Sequence, residues 1–213
     1  MIFQYGSRPD EFFDNYLFKD LLEFGFNVTG MDDMESLLKR FYIGDEDTSK
    51  GMEQEITRFG SDLVWNHPTE RAIDLFLEDN ARVIYQYLFS YEGGRNFLKS
   101  NMNTTIPGAA HADELGYIFD IFRLRDQEIT PEDQRIIDQM TTMWTNFVKY
   151  GNPTPHVSEL LPVSWEPVTA DKRQYIDIDS SLTLKKRPFH DRMAFWDLFY
   201  DRNRNNAKGF SDL

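Results

Sequence analysis

Through the first third of the chain apolar residues recur at helical spacing. Phe12, Phe13, Tyr16, Leu17, Leu21 and Phe24 share one face after Pro9, which suits a first-turn position, and Gly25 is placed to close this helix in the left-handed conformation. Asp32 is placed to cap a second helix with Met34, Leu37, Leu38 and Phe41 inward, ended by Gly44, after which Gly44 to Ser49 makes an acidic loop. A third helix is predicted from Met52 to Trp65 with Ile56, Phe59, Leu63 and Val64 inward. Asn66-His67-Pro68 should stop it, leaving His67 as a surface turn residue, and Thr69 should cap a fourth helix that turns Ala72, Ile73, Phe76 and Leu77 to the core.

The period then changes. Val83 to Tyr91 is dense in β-branched and aromatic residues, apolar on both faces, and stops at Glu92-Gly93-Gly94, the pattern of a strand buried inside a covered sheet. Asn96 to Thr105 reads as a polar loop, and Glu114 to Phe122 as partly helical and buried. Thr130-Pro131-Glu132-Asp133 opens the clearest helix: a capping hydroxyl, a proline where a missing N–H costs nothing, and acids at the positive end of the dipole. Its core face is predicted to be Ile136, Ile137, Met140, Trp144, Phe147 and Val148, and Gly151 followed by Asn152-Pro153 ends it. A second strand is predicted over Gln174 to Ile178, and a final amphipathic helix over Phe189 to Tyr200 with Met193, Phe195, Trp196 and Phe199 packing inward. The tail from Asp201 to Leu213 is polar and expected to be loose. No internal repeat and no linker between domains is visible.

Composition narrows the function classes. With 40% hydrophobic and 15% aromatic residues the 213-residue chain has material for a sizeable core. A formal net charge of -13 argues against nucleic acid, since only the short Lys185-Lys186-Arg187 run is basic. The absence of cysteine rules out a disulfide framework within these residues without fixing the compartment. No apolar run is long enough for a membrane span, and Met1-Ile2-Phe3-Gln4-Tyr5-Gly6 lacks the basic start of a signal peptide. Asn27-Val28-Thr29 and Asn103-Thr104-Thr105 are glycosylation sequons.

The chemistry centres on His111. Pro107 and Gly108 break regular structure and Ala109-Ala110 keep bulk away, so the imidazole can project from a tight turn after a strand, the position of a general base in α/β-type hydrolases. Metal binding is disfavoured, because His67, His156 and His190 are distant in sequence and no His-x-x-x-His pair exists. Asp113 and Glu114 follow His111 directly and are expected to bond the turn or cap the next helix rather than to act chemically. Glu92, opening a Gly-Gly turn, is expected to be a turn residue.

Gly108-Ala109-Ala110-His111-Ala112-Asp113-Glu114-Leu115-Gly116-Tyr117-Ile118-Phe119 resembles the histidine motif of the type B carboxylesterases, the α/β-hydrolases that include insect carboxylesterases and cholinesterases. Other segments resemble the family in order: Phe59-Gly60-Ser61-Asp62, Tyr87 to Tyr91, Met143 to Pro153, Trp165-Glu166-Pro167, Tyr175 to Ile178, and Lys186 to Trp196. The resemblance implies an α/β fold, the C-terminal part of an α/β-hydrolase, helix-rich with few strands and an incomplete central sheet. Residues 1–80 would be its helical region, and 81–213 its last strands, histidine loop and closing helices, all one carboxylesterase domain. It implies that His111 is the catalytic base, that no cofactor is used, and that the substrate of the complete enzyme is a small apolar carboxylic ester.

The departures are as informative. The family's nucleophile is the serine of Gly-x-Ser-x-Gly, and no serine here has glycine two residues before and two after it. There is no Gly-Gly-Gly oxyanion run, and Met1 to Tyr5 resembles the residues that follow the family's catalytic acid. The expectation is a segment with one triad member of three, inactive alone. The alternative is a non-catalytic binding relative like the cholinesterase-like adhesion proteins.

Overall fold

The structure, a computed structural model, describes residues 17–29, 32–46, 52–79, 83–102 and 106–208. Its two compact units are interleaved in sequence: the first combines Met1–Leu75 with Phe189–Leu213, and the second is Phe76–Pro188. The chain leaves the first unit within a helix, between Leu75 and Phe76, and returns to it in a short turn at Pro188–Phe189, so no linker composition marks the division.

In the first unit, only the end of the first predicted helix falls among the described residues, as α1 (Leu17–Leu22). Pro9, Phe12, Phe13 and Tyr16 lie outside them. Gly25 lacks the positive φ foreseen for it, and the chain runs on directly to Phe26, which bridges Ala207. α2 (Asp32–Tyr42) is followed by Gly44 at φ 79°, as its position suggested. α3 (Glu53–Ser61) does not stop before Pro68. One π-helical turn, Asp62–Asn66, carries it into α4 (His67–Glu78). In that turn the His67 N–H reaches the Asp62 carbonyl five residues back, and Pro68, which has no N–H to donate, follows where the ladder is already widened.

His67 is consequently no surface turn residue. It is 4% exposed, with Nε2 at 3.2 Å from Asp197 Oδ1 and its ring against Trp196 and Tyr200. Burial, opposed by Asp197, holds its pKa below the ordinary value of 6.5. The unfolded chain takes up this proton more readily than the folded one, so the stabilisation is fully present above pH 6.5 and is lost as pH falls through the lower folded value. The urea midpoint of the wild-type chain should therefore fall more steeply from about pH 7.5 to about pH 5.5 than that of His67→Asn. Parallel profiles would remove His67 as the origin.

α8 (His190–Arg202) places Met193, Trp196 and Phe199 in a core with Phe18, Leu21, Leu22, Phe26, Leu38, Phe59 and Leu63. Trp196 Nε1 donates to the Tyr42 hydroxyl, which donates to the fully buried Asp62, and Arg192 pairs with the same carboxylate at 3.0 Å. The expected loose tail is ordered at its start: the Lys208 amide donates to the Gly25 carbonyl beside the Phe26–Ala207 bridge.

In the second unit the strand predicted over Val83 to Tyr91 shrinks to β1 (Tyr87–Phe89), parallel to β2 (Gln174–Ile178), which pairs antiparallel with β3 (Leu182–Lys186). The sheet order is β1-β2-β3 among the described residues. Its two apolar faces do not make β1 a buried strand, since Val83 is 52% exposed and Tyr87 38%. With β2 as its single neighbour among the described residues, the flanking chain stays extended without a full ladder. β2 matches its predicted bounds, whereas β3 was hidden by its lysines. One of them, Lys185, neutralises the buried Asp177.

The stretch expected as a polar loop forms α5 (Phe97–Met102), and α6 (Leu115–Ile118) supplies the helical part expected after the histidine. α7 (Pro131–Tyr150) opens with a reciprocal capping box between Thr130 and Asp133 and ends at Gly151, φ 66°. Ile136, Met140 and Met143 enter the core with Tyr91, Tyr117, Trp165, Ile176 and Ile178. Val148, 85% exposed, and Phe147, 48%, do not, and Met143 and Gln139 take inward positions instead. Gln139 can do so because its amide donates to the Leu160 carbonyl. No helix among the described residues is long and apolar enough to cross a membrane.

Candidate active site

His111 stands exposed on a turn, residues 111–114, that runs directly into α6. Two residues give the turn its shape. Gly108 has φ 97°, and Ala112, directly after the histidine, has φ 68°. An alanine in the left-handed region costs about 1 kcal/mol or more, so the surroundings must hold it there. They do so through Asp113. This carboxylate is wholly buried and accepts from the amides of Ala110 at 2.7 Å, Leu98 at 2.7 Å and Lys99 at 2.9 Å, and from Asn96 Nδ2 at 3.1 Å. Leu98 and Lys99 lie in the first turn of α5, so the residue that fixes the histidine turn also satisfies amides with no partner within their own helix.

Behind Asp113 the fixation continues inward. Asn96 bonds the Tyr91 carbonyl and the Gly93 amide and accepts from the Tyr117 hydroxyl, while Tyr91 and Tyr117 both donate to Asp133, the buried capping residue of α7. Burial first, and then Asp133, push both tyrosines up, Tyr91 to about 12, so both remain hydroxyl donors at neutral pH. The path from the histidine turn to the longest helix is thus made of buried, paired polar groups, an arrangement that specifies one geometry. Glu114 accepts from the Tyr87 hydroxyl, which burial first, and then Glu114, push up to about 12. Asp113 bonds the turn as its position suggested, whereas Glu114, at the N-cap of α6, makes no side-chain cap bond and reaches Tyr87 instead. Asn96 had no signal in the sequence, because an asparagine beside Gly-Gly looks like any turn residue.

Among the described residues no three His, Asp or Glu side chains are grouped to hold a metal ion. Trp144 packs against the core as expected, and with Phe147, Tyr85, Tyr87 and Trp165 it also lines a cavity of about 180 Å³.

A sequence profile of the Carboxylesterase family matches residues 4–196. The chain belongs to the carboxylesterase family. Its three-stranded sheet and many helices are a partial α/β-hydrolase fold. Among its relatives, Esterase FE4 of Myzus persicae is 30% identical over 158 residues, covering 70% of this chain and 27% of the relative. Bile salt-activated lipase of Mus musculus is 27% identical over 158 residues, covering 72% and 25%. Juvenile hormone esterase of Tribolium castaneum is 26% identical over 189 residues, covering 76% and 31%. The chain thus spans about a quarter to a third of the length of these carboxylesterase-family relatives.

Proposed function

We propose that these residues carry the general base, His111, of a carboxylic ester hydrolase. The observation that carries this reading is the turn itself: an exposed imidazole precedes an alanine held at φ 68° by a buried carboxylate with four donors. A surface histidine without a task needs neither the unfavourable backbone nor the buried network beneath it.

In the reaction, His111 takes the proton of a serine hydroxyl as its oxygen attacks the ester carbonyl. It returns that proton to the departing alcohol, then takes a proton from the water that attacks the acyl-enzyme and hands it to the serine oxygen as the acyl–oxygen bond breaks and the acid leaves. The relatives' names, esterase, juvenile hormone esterase and bile salt-activated lipase, support an ester with substantial apolar parts as substrate. The 213 residues contain no Gly-x-Ser-x-Gly, so they do not supply the nucleophile, and by themselves they are inactive. Incubating the chain with an organophosphate probe and measuring its intact mass should show no stoichiometric adduct. A stable adduct on a serine would overturn this.

A further inference from the structure

We infer that Glu92 and Lys99 form a clamp on Gly108 that positions His111, an inference that rests on His111 being the base. Glu92 Oε1 accepts from the Gly108 amide at 2.7 Å, and Lys99 Nζ donates to the Gly108 carbonyl at 2.8 Å. The two side chains close the ring by pairing with each other, Nζ to Oε2, at 2.5 Å. Both polar groups of one backbone residue are thereby gripped by opposite charges. Glu92 lies in the turn after β1 and Lys99 in α5, so two separate elements hold the same point of the loop.

That point is where the loop needs holding. Gly108 lies three residues before His111 and has φ 97°, while a Cβ built on it would meet nothing within 4 Å. The glycine is required for its conformation and not for space, and a flexible glycine in open surroundings does not hold a loop by packing. Asp113 fixes the other side of the turn through the Ala110 amide. The imidazole is thus carried between two anchored points, one buried and one at the surface. Glu92 is held below the usual carboxylate range, first by its bond to Lys99 and then by the Gly108 amide, which keeps the clamp charged at neutral pH.

The pair is not chiefly a stability element. The Glu92 side chain is 48% exposed and that of Lys99 15%, so the pair is open to solvent on the Glu92 side and its contribution to global stability is small. Its effect should be local, which separates positioning from general support.

The test uses the 213-residue chain labelled with ¹³C at its four histidine rings, the other three being internal references. Glu92→Ala and Lys99→Met should each speed amide exchange at Gly108 by about tenfold or more and drop the His111 ring order parameter below about 0.6. The rings of His67, His156 and His190 should not change, and the melting midpoint should stay within about 2 °C. Lys99→Arg, which keeps a charged donor, should restore His111. A His111 ring already averaged in the wild-type chain, or one unchanged in both variants, would overturn the proposal. So would all four rings and the melting midpoint moving together, which would mark a structural role only. No ester turnover is read, so a failed clamp leaves the base assignment standing, and a failed base assignment leaves the clamp measurable.

Discussion

In an esterase containing this segment, His111→Ala should lower ester turnover by roughly 10⁴ to 10⁶-fold with little change in substrate binding. The size follows from the number of proton transfers lost. On the proposed role of His111, its loss leaves the serine proton, the leaving alcohol and the deacylating water without their proton carrier, so both halves of the reaction should slow. Binding persists because the removed ring is exposed and its neighbour Asp113 keeps the turn tied to α5. Steady-state kinetics with a chromogenic apolar ester would show the loss in kcat. A variant retaining more than about a tenth of normal turnover would place the base elsewhere.

Gly116→Ala should be severely damaging to the second unit. A Cβ at this position would sit 2.0 Å from the Arg95 carbonyl oxygen and 2.8 Å from Leu124 Cδ1. The first of these is backbone and cannot rotate aside. The contact is also tied shut, since Arg95 Nε donates to the Gly116 carbonyl at 2.7 Å and Arg95 Nη1 reaches the Leu124 carbonyl. Making room would displace α6 from the segment that positions Asn96, with a cost on the order of 4 kcal/mol or more. Thermal unfolding should then begin about 10 to 20 °C lower. A midpoint within about 3 °C of wild type would mean that α6 can slide, and that the histidine turn is held less tightly than the Asp113 network suggests.

What could be read beforehand depended on whether the signal was local. The capping box of α7 lies within four adjacent residues, Gly44 and Gly151 punctuate their helices, and β2 declares itself by Tyr175, Ile176 and Ile178. His111 could be singled out because Pro107 and Gly108 beside it break regular structure and Ala109-Ala110 keep bulk away. Features set by distant partners were not visible. α5 could not be read from a local cap, because its first-turn amides are satisfied from Asp113, well downstream. His67 beside a proline looked exposed because Asp197, Trp196 and Tyr200, which bury it, lie far along the chain. β1 showed the opposite error: apolar side chains on both faces suggested cover on both faces, but pairing, not composition, decides how far a ladder extends.

The π-helical turn at Asp62–Asn66 makes the length of this chain locally negotiable. Such a turn stores one residue more than an α-helix needs between the same two flanks, so deleting one residue within it would keep α3 and α4 facing as they do now. A deletion inside α4 would instead rotate every later side chain by about 100°. The spare residue and Pro68 are linked, however. In an uninterrupted α-helix the proline ring would meet the carbonyl four residues back, at a cost of about 3 kcal/mol or more. Shortening the turn is therefore tolerable only together with a Pro68→Ala change, and lineages that differ by one residue at this point should differ at the proline as well.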